Sequence, residues 1–185
     1  GVFDVAVPAF ATQEGVAHRV AWIFAAFGVA NVIGGLLGGL VSKRLAPLSA
    51  LLRAYAIWVA ASIPFVFTYP DWSMAVVGAG IGFIGGAVQV FYFEVLEAVR
   101  PQGSQTSSLG WIWSVEGSFM AIGAAVGGVV SEAFDPRVGL AMLPIMIFTG
   151  LVILTIGKAR LSAANDIPTE EEDLQAMKDI SNEVK

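Results

Sequence analysis

Three polar side chains set within apolar stretches are the residues of this sequence best placed to do chemistry: Asn31, Gln89 and Glu116. Placing an acid near the centre of an apolar helix costs about 2.5–3.5 kcal/mol on insertion scales, so such a group faces a partner or a watered cavity. With helical spacing, Glu116 shares its face with Ile112, Trp113, Phe119, Met120 and Gly123, a mixture of bulk, thioether and gap that suits a binding cavity. Three roles follow for Glu116. It is a substrate or proton site, the structural partner of a basic group elsewhere, or an interfacial acid whose carboxylate snorkels to water. Asn31 and Gln89 are neutral and cheaper to bury, and serve either as interhelical hydrogen-bonding groups or as members of the same path. Glu94 and Glu97 come later in the Gln89 stretch and read as gate or headgroup contacts.

Other chemistries lack their residues. The sequence has no cysteine and one histidine, His18, which stands beside Arg19 with no second ligand near it in sequence. There is no His-Glu-x-x-His run and no Gly-x-x-x-x-Gly-Lys-Ser/Thr loop. No catalytic residue, metal or cofactor is expected, and the chain does not read as an enzyme.

The elements that must position these residues are long and apolar. Of the 185 residues 56% are hydrophobic and only 14% charged, against about 25% charged in an ordinary soluble domain. That apolar surplus requires lipid as its solvent. Five segments are long enough to cross the roughly 30 Å hydrocarbon core: Val20–Val41, Ala50–Tyr69, Ser73–Leu96, Leu109–Val130 and Val138–Gly157. Barrel strands would alternate apolar with polar over about 10 residues, and these segments do not. The expected fold is therefore an all-α polytopic transmembrane bundle. Residues 1–10 are apolar but reach only about 15 Å as helix, and read as the end of a sixth span whose beginning is missing.

Charge orients the bundle. Lys43, Arg44, Arg53, Arg100, Lys158 and Arg160 collect on one side, with only Arg19 and Arg137 on the other. The excess of Lys and Arg marks the cytoplasmic side, so a multi-pass plasma-membrane protein, of a bacterial inner membrane, with a cytoplasmic C-terminus is expected. The net charge of −5 arises in the last twenty residues, which hold seven of the fifteen acids. The body is otherwise neutral, and no basic patch invites nucleic acid. The expected division is a helical bundle over residues 1–160 and a polar, acidic tail over 161–185. Within that tail Thr169 and Glu172 form a capping-box pattern ahead of Leu174, Met177 and Ile180.

Glycine supplies the remaining signal. Gly34/Gly38 and Gly35/Gly39 overlap in one span, Gly78, Gly82 and Gly86 line one face of another, and Gly123/Gly127 lie in a third. Small residues let helix backbones approach closely in lipid, and three such helices suggest either simple packing or faces that slide and re-pack. The stretch from Pro8 to Arg19, the glycine-rich span ending Ser42-Lys43-Arg44-Leu45, and Glu97-Ala98-Val99-Arg100-Pro101-Gln102-Gly103-Ser104 followed by Gly123, Gly127 and Gly128 resemble the C-terminal half of the major facilitator superfamily. The loop after Val41 lacks the acidic residue that often precedes the basic pair in that family. The resemblance implies a twelve-helix secondary transporter of two six-helix halves, cut at its N-terminus here, with solute bound at the midplane between them. It implies that the spans Val20–Val41 and Leu109–Val130 face the other half, with Gly34, Gly38, Gly123 and Gly127 at the rocking interface. The Ala50–Tyr69 and Val138–Gly157 spans become outer supports. Expected partners are a small-molecule solute, protons, the missing N-terminal half and the lipid bilayer. The expected function is alternating-access transport, with proton-coupled efflux as its form and Glu116, Asn31, Gln89, Trp113 and Met120 along the path. The alternative is a non-transporting membrane-embedded binding or assembly protein of the same fold.

Overall fold

A computed structural model describes residues 1–100 and 105–165. All its regular elements are helical: α1 (Val2–Gln13), α2 (Val20–Ser42), α3 (Pro47–Ser62), α4 (Trp72–Val99), α5 (Gln105–Ala133) and α6 (Pro136–Gly157), with short 3-10 turns between and after them. Five of these helices, α2 to α6, are long and apolar enough to cross a membrane. The chain is thus an all-α polytopic bundle. α1 has 12 residues, about 18 Å of helix, and does not span by itself.

Local chemistry sets the helix ends. Asp71 caps α4 by accepting a hydrogen bond from the Ser73 backbone N–H at 2.7 Å, and Asp135 does the same for α6 through Arg137 at 2.7 Å. Pro47 and Pro136 occupy first-turn positions, where a missing N–H costs nothing. α3 gives way to a 3-10 segment over Ile63–Phe67 because Pro64 cannot donate to the α-helical ladder. α5 begins at Gln105, before the apolar segment that starts at Leu109, because the polar run of Thr106, Ser107 and Ser108 is also helical.

α2 packs most extensively on α4, α3 on α4 and α6, and α1 on α5 and α6. Exchanging the first three helices for the last three preserves these pairings, α1 with α5 becoming α4 with α2 and α3 with α6 unchanged, although α5 also packs on α6 and α2 has no comparable contact with α3. Within the core, the Phe3 ring stacks among Phe24, Phe27 and Phe65 at centroid distances of 5.0, 4.8 and 5.5 Å. Ile23, Met74, Ile81 and Leu140 complete that cluster. A second cluster of Leu48, Leu51, Val88, Phe91 and Val95 is closed by Ala164, which is fully buried. The chain therefore turns back after α6 and covers the ends of α3 and α4. The capping-box pattern at Thr169 and Glu172 lies outside the described residues.

The loops define two ends. The Tyr69 end holds residues 14–19, 68–71 and 134–135. The Lys43 end holds residues 43–46, the end of α4 and residues 158–165.

Candidate functional site

Two surfaces carry the polar residues singled out by sequence. The first is the seam between α2 and α4, which run parallel. A Cβ built on Gly34 would stand 1.8 Å from the Phe83 carbonyl oxygen, and one on Gly86 would stand 2.0 Å from that of Asn31. Only glycine permits this backbone-to-backbone contact. A Cβ built on Gly38 would likewise stand 3.0 Å from the Ala87 Cα. Inside the seam the Asn31 amide donates to the Gly82 carbonyl at 3.1 Å. Trp58 of α3 adds a second polar tie to α4, its indole N–H donating to the Ile81 carbonyl at 2.9 Å. Asn31 is thus committed to α4.

The second surface is α5. Glu116 lies near the middle of its 29 residues and is exposed on this bundle. Trp113 is 64% exposed, Phe119 69% and Met120 56%, so the whole face around the carboxylate is open. The serines beside it are satisfied within the helix: Ser114 donates to the Gly110 carbonyl at 2.8 Å and Ser118 to that of Ser114 at 2.7 Å. Among the described residues Glu116 has no ion-pair partner; the pairs present there are the N-terminus with Asp4, at 3.2 Å, and Arg100 with Glu97. Its electrostatic neighbour is Tyr92 of α4. Gln89, three residues earlier on α4, is also exposed. The structure therefore puts Tyr92 within electrostatic range of Glu116, leaves Gln89 exposed one helical turn before Tyr92 on α4, and holds Asn31 in the seam. Tyr92 reads in sequence as an interfacial aromatic; its position three residues from Gln89, on one helical face, is the signal that links it to this group.

Gly123 and Gly127 face α1. A Cβ on Gly123 would meet Val2 at 3.5 Å and one on Gly127 would meet it at 3.2 Å, against side chain as well as backbone. The faces of α2 and α5 that carry Gly34, Gly38, Gly123 and Gly127 are therefore occupied by helices of this same bundle.

The two ends differ in their electrostatics. At the Tyr69 end the Tyr69 hydroxyl donates to Glu14 Oε2 at 2.6 Å, Arg19 reaches the Pro70 carbonyl at 3.5 Å, and the Arg137 guanidinium sits 5.1 Å from the Phe10 ring centroid. The bond to Glu14, with partial desolvation and the same carboxylate's charge, raises the Tyr69 pKa above its ordinary value. At the Lys43 end Arg100 Nε donates to Glu97 Oε2 at 2.6 Å, a bond that raises the guanidinium pKa further. Glu94 Oε2 is buried there without a hydrogen-bond partner among the described residues. Among the described residues no group of three or more His, Cys, Asp or Glu side chains is arranged to hold a metal ion.

Comparison with known proteins agrees with this architecture. The family model of the Major Facilitator Superfamily matches residues 1–183. An uncharacterized MFS-type transporter of Bacillus subtilis (strain 168), YttB, is 29% identical over 104 residues, covering 56% of this chain. The match spans 26% of that relative's length. No solved structure matches the chain.

Proposed function

The chain belongs to the major facilitator superfamily, and from that premise we propose that it forms the C-terminal six-helix half of a secondary transporter that moves a small solute by alternating access. Most of the helix pairings survive exchange of α1–α3 for α4–α6, which supports this because transporter halves of this kind are built from nested three-helix repeats. α1 is the counterpart of α4 in that exchange, yet has 12 residues against 28. An N-terminal half would then cover the open faces of α2 and α5, and the rocking surface would be these apolar faces.

The observation that carries the reading is the Glu116 carboxylate, unpaired among the described residues and central on an open apolar helix face. Such a group binds a cationic or hydrogen-bonding solute, or carries the coupling proton, with Tyr92 and Gln89 beside it. Proton-coupled efflux is the form we assign. Lys43, Arg44, Arg100 and the C-terminus lie in the cytoplasm under the positive-inside rule, in a bacterial inner membrane.

The test is Glu116→Gln in the full-length protein, with proton-driven solute flux and thermal stability measured together. Lost flux with unchanged stability supports the site. A loss of about 3–5 kcal/mol in stability instead identifies a structural ion pair with the other half. Normal values for both remove Glu116 from the mechanism.

A further inference from the structure

α3 carries one charge that neither the seam nor the Glu116 face explains. Arg53 is the only charged residue from Pro47 to Phe67, the span formed by α3 and its 3-10 extension. It is also the only base inside α1–α6 beyond a first turn. Six residues of helix put it about 9 Å along α3 from Pro47. The inner face of α3 is committed to the bundle. Trp58 donates to the Ile81 carbonyl of α4, Leu51 is buried, and a Cβ on Gly150 of α6 would meet the Tyr55 hydroxyl at 2.5 Å. Arg53 lies on the opposite face with Ala56, Ile57 and Ala60, all exposed. Ile63 and Phe67 continue this exposed apolar track to about 24 Å from Arg53. One leaflet offers roughly 15 Å of hydrocarbon, so the track is long enough for an acyl chain.

No acid of α3 or α6 is available to Arg53. Residues 43–70 and 136–165 contain no Asp or Glu, yet at the Lys43 end they hold Lys43, Arg44, Arg53, Lys158 and Arg160. All five are exposed, and none has an ion pair among the described residues. The described acids of that end, Glu94 and Glu97, belong to α4, from which Arg53 is turned away, and Glu97 is bonded to Arg100. A guanidinium at the edge of the hydrocarbon without a counter-charge from its own helix or neighbour draws one from the lipid.

We infer that this outer face of α3 docks an anionic phospholipid, its phosphate on Arg53 and an acyl chain along Ala56, Ile57 and Ala60. The planar guanidinium fork matches two phosphate oxygens at once. Lys43 and Arg44, just before α3, and Lys158 and Arg160, just after α6, supply the surrounding positive field. The apolar track beneath the charge selects a lipid over free phosphate. The inference rests on the place of α3 in the membrane and not on the transport reading.

The experiment titrates the detergent-solubilised full-length protein with phosphatidylglycerol or phosphatidylcholine of identical chains, and counts bound lipid by native mass spectrometry. Wild type should bind phosphatidylglycerol about tenfold or more tightly than phosphatidylcholine, the size of effect one charge-assisted pair supplies. Arg53→Gln should bring phosphatidylglycerol down to the level of phosphatidylcholine, and Arg53→Lys should keep part of the preference. Arg19→Gln, at the opposite end, should keep all of it. Glycerol phosphate, a phosphate headgroup without chains, should not displace the lipid. Deleting the acid-rich residues 166–185 should leave the preference unchanged. A wild-type preference in R53Q, or an equal loss in R19Q, overturns the inference. So does displacement by glycerol phosphate at concentrations matching the lipid, or a preference that appears only once residues 166–185 are removed.

Discussion

α2 and α5 carry the same small-xxx-small pattern and sit in different surroundings. On α2, Gly34 and Gly38 touch the α4 backbone, and Asn31 is tied to the Gly82 carbonyl across the seam. On α5, Gly123 and Gly127 meet a valine of a short helix, while the preceding turns around Glu116 are bare. A glycine pair announces that a backbone can come close. Whether one does depends on the neighbour's depth and register. The seam is closed by contacts that exclude even a methyl group, whereas the α5 face is built of large apolar side chains with one charge among them.

The largest expected effect comes from putting one substitution on both surfaces. Gly86→Leu drives a side chain into the Asn31 carbonyl and should separate α2 from α4. The expected cost is about 3 kcal/mol or more, read as lost thermal stability and aggregation on size-exclusion chromatography in detergent. Gly117→Leu has nothing within 4 Å on this bundle. It should keep or raise stability by up to about 1 kcal/mol, since glycine is a poor helix former. If an N-terminal half covers that face, the same variant abolishes flux. Equal damage to folding at both positions would erase the distinction between the two surfaces.

A smaller effect probes the polar tie in the seam. Asn31→Leu removes a single interhelical hydrogen bond and should cost about 0.6–1.7 kcal/mol in thermal unfolding. Trp58→Phe, which loses the neighbouring bond to Ile81, should add independently if the two ties act separately. A neutral Asn31→Leu in stability with lost flux would move Asn31 out of the seam's architecture and into the path.

The smallest effect lies outside the spans. Because its folded pKa is raised above the ordinary 10.0, the Tyr69 hydroxyl contributes fully below that pH. The contribution is lost as pH rises through the raised value. Glu14→Gln removes the charged acceptor, so tyrosinate absorbance should develop at lower pH than in wild type, with little change at neutral pH. An unchanged titration would mean that this link does not hold α1 to the α3–α4 connection.

The number, type and approximate limits of the spans were legible in sequence because each depends on local matters: apolar length, proline without an N–H, and a cluster of basic residues. The segment Ser73–Leu96 marks α4 within three residues at each end, and the difference arises from the Asp71 cap and the helical continuation to Val99. Glu116 could be singled out because a charge in an apolar run stands out without reference to any neighbour. Its company could not. That Tyr92 of α4 lies within electrostatic range of it, and that Asn31 turns into the seam, depend on the rotation and register of helices far apart in sequence.

What the sequence by itself determined is that this chain dissolves in lipid as five apolar helices with a lone acid in the fourth and glycines on three. Length, hydropathy and charge act one helix at a time, so they need no partner to be read. Only the tertiary structure decided which glycine faces are filled, since contact requires two helices to agree in depth and rotation. Gly34 meets the Phe83 carbonyl because α2 and α4 run parallel in matching register. Gly123 and Gly127 meet Val2 because α1 packs on α5 at that depth and rotation.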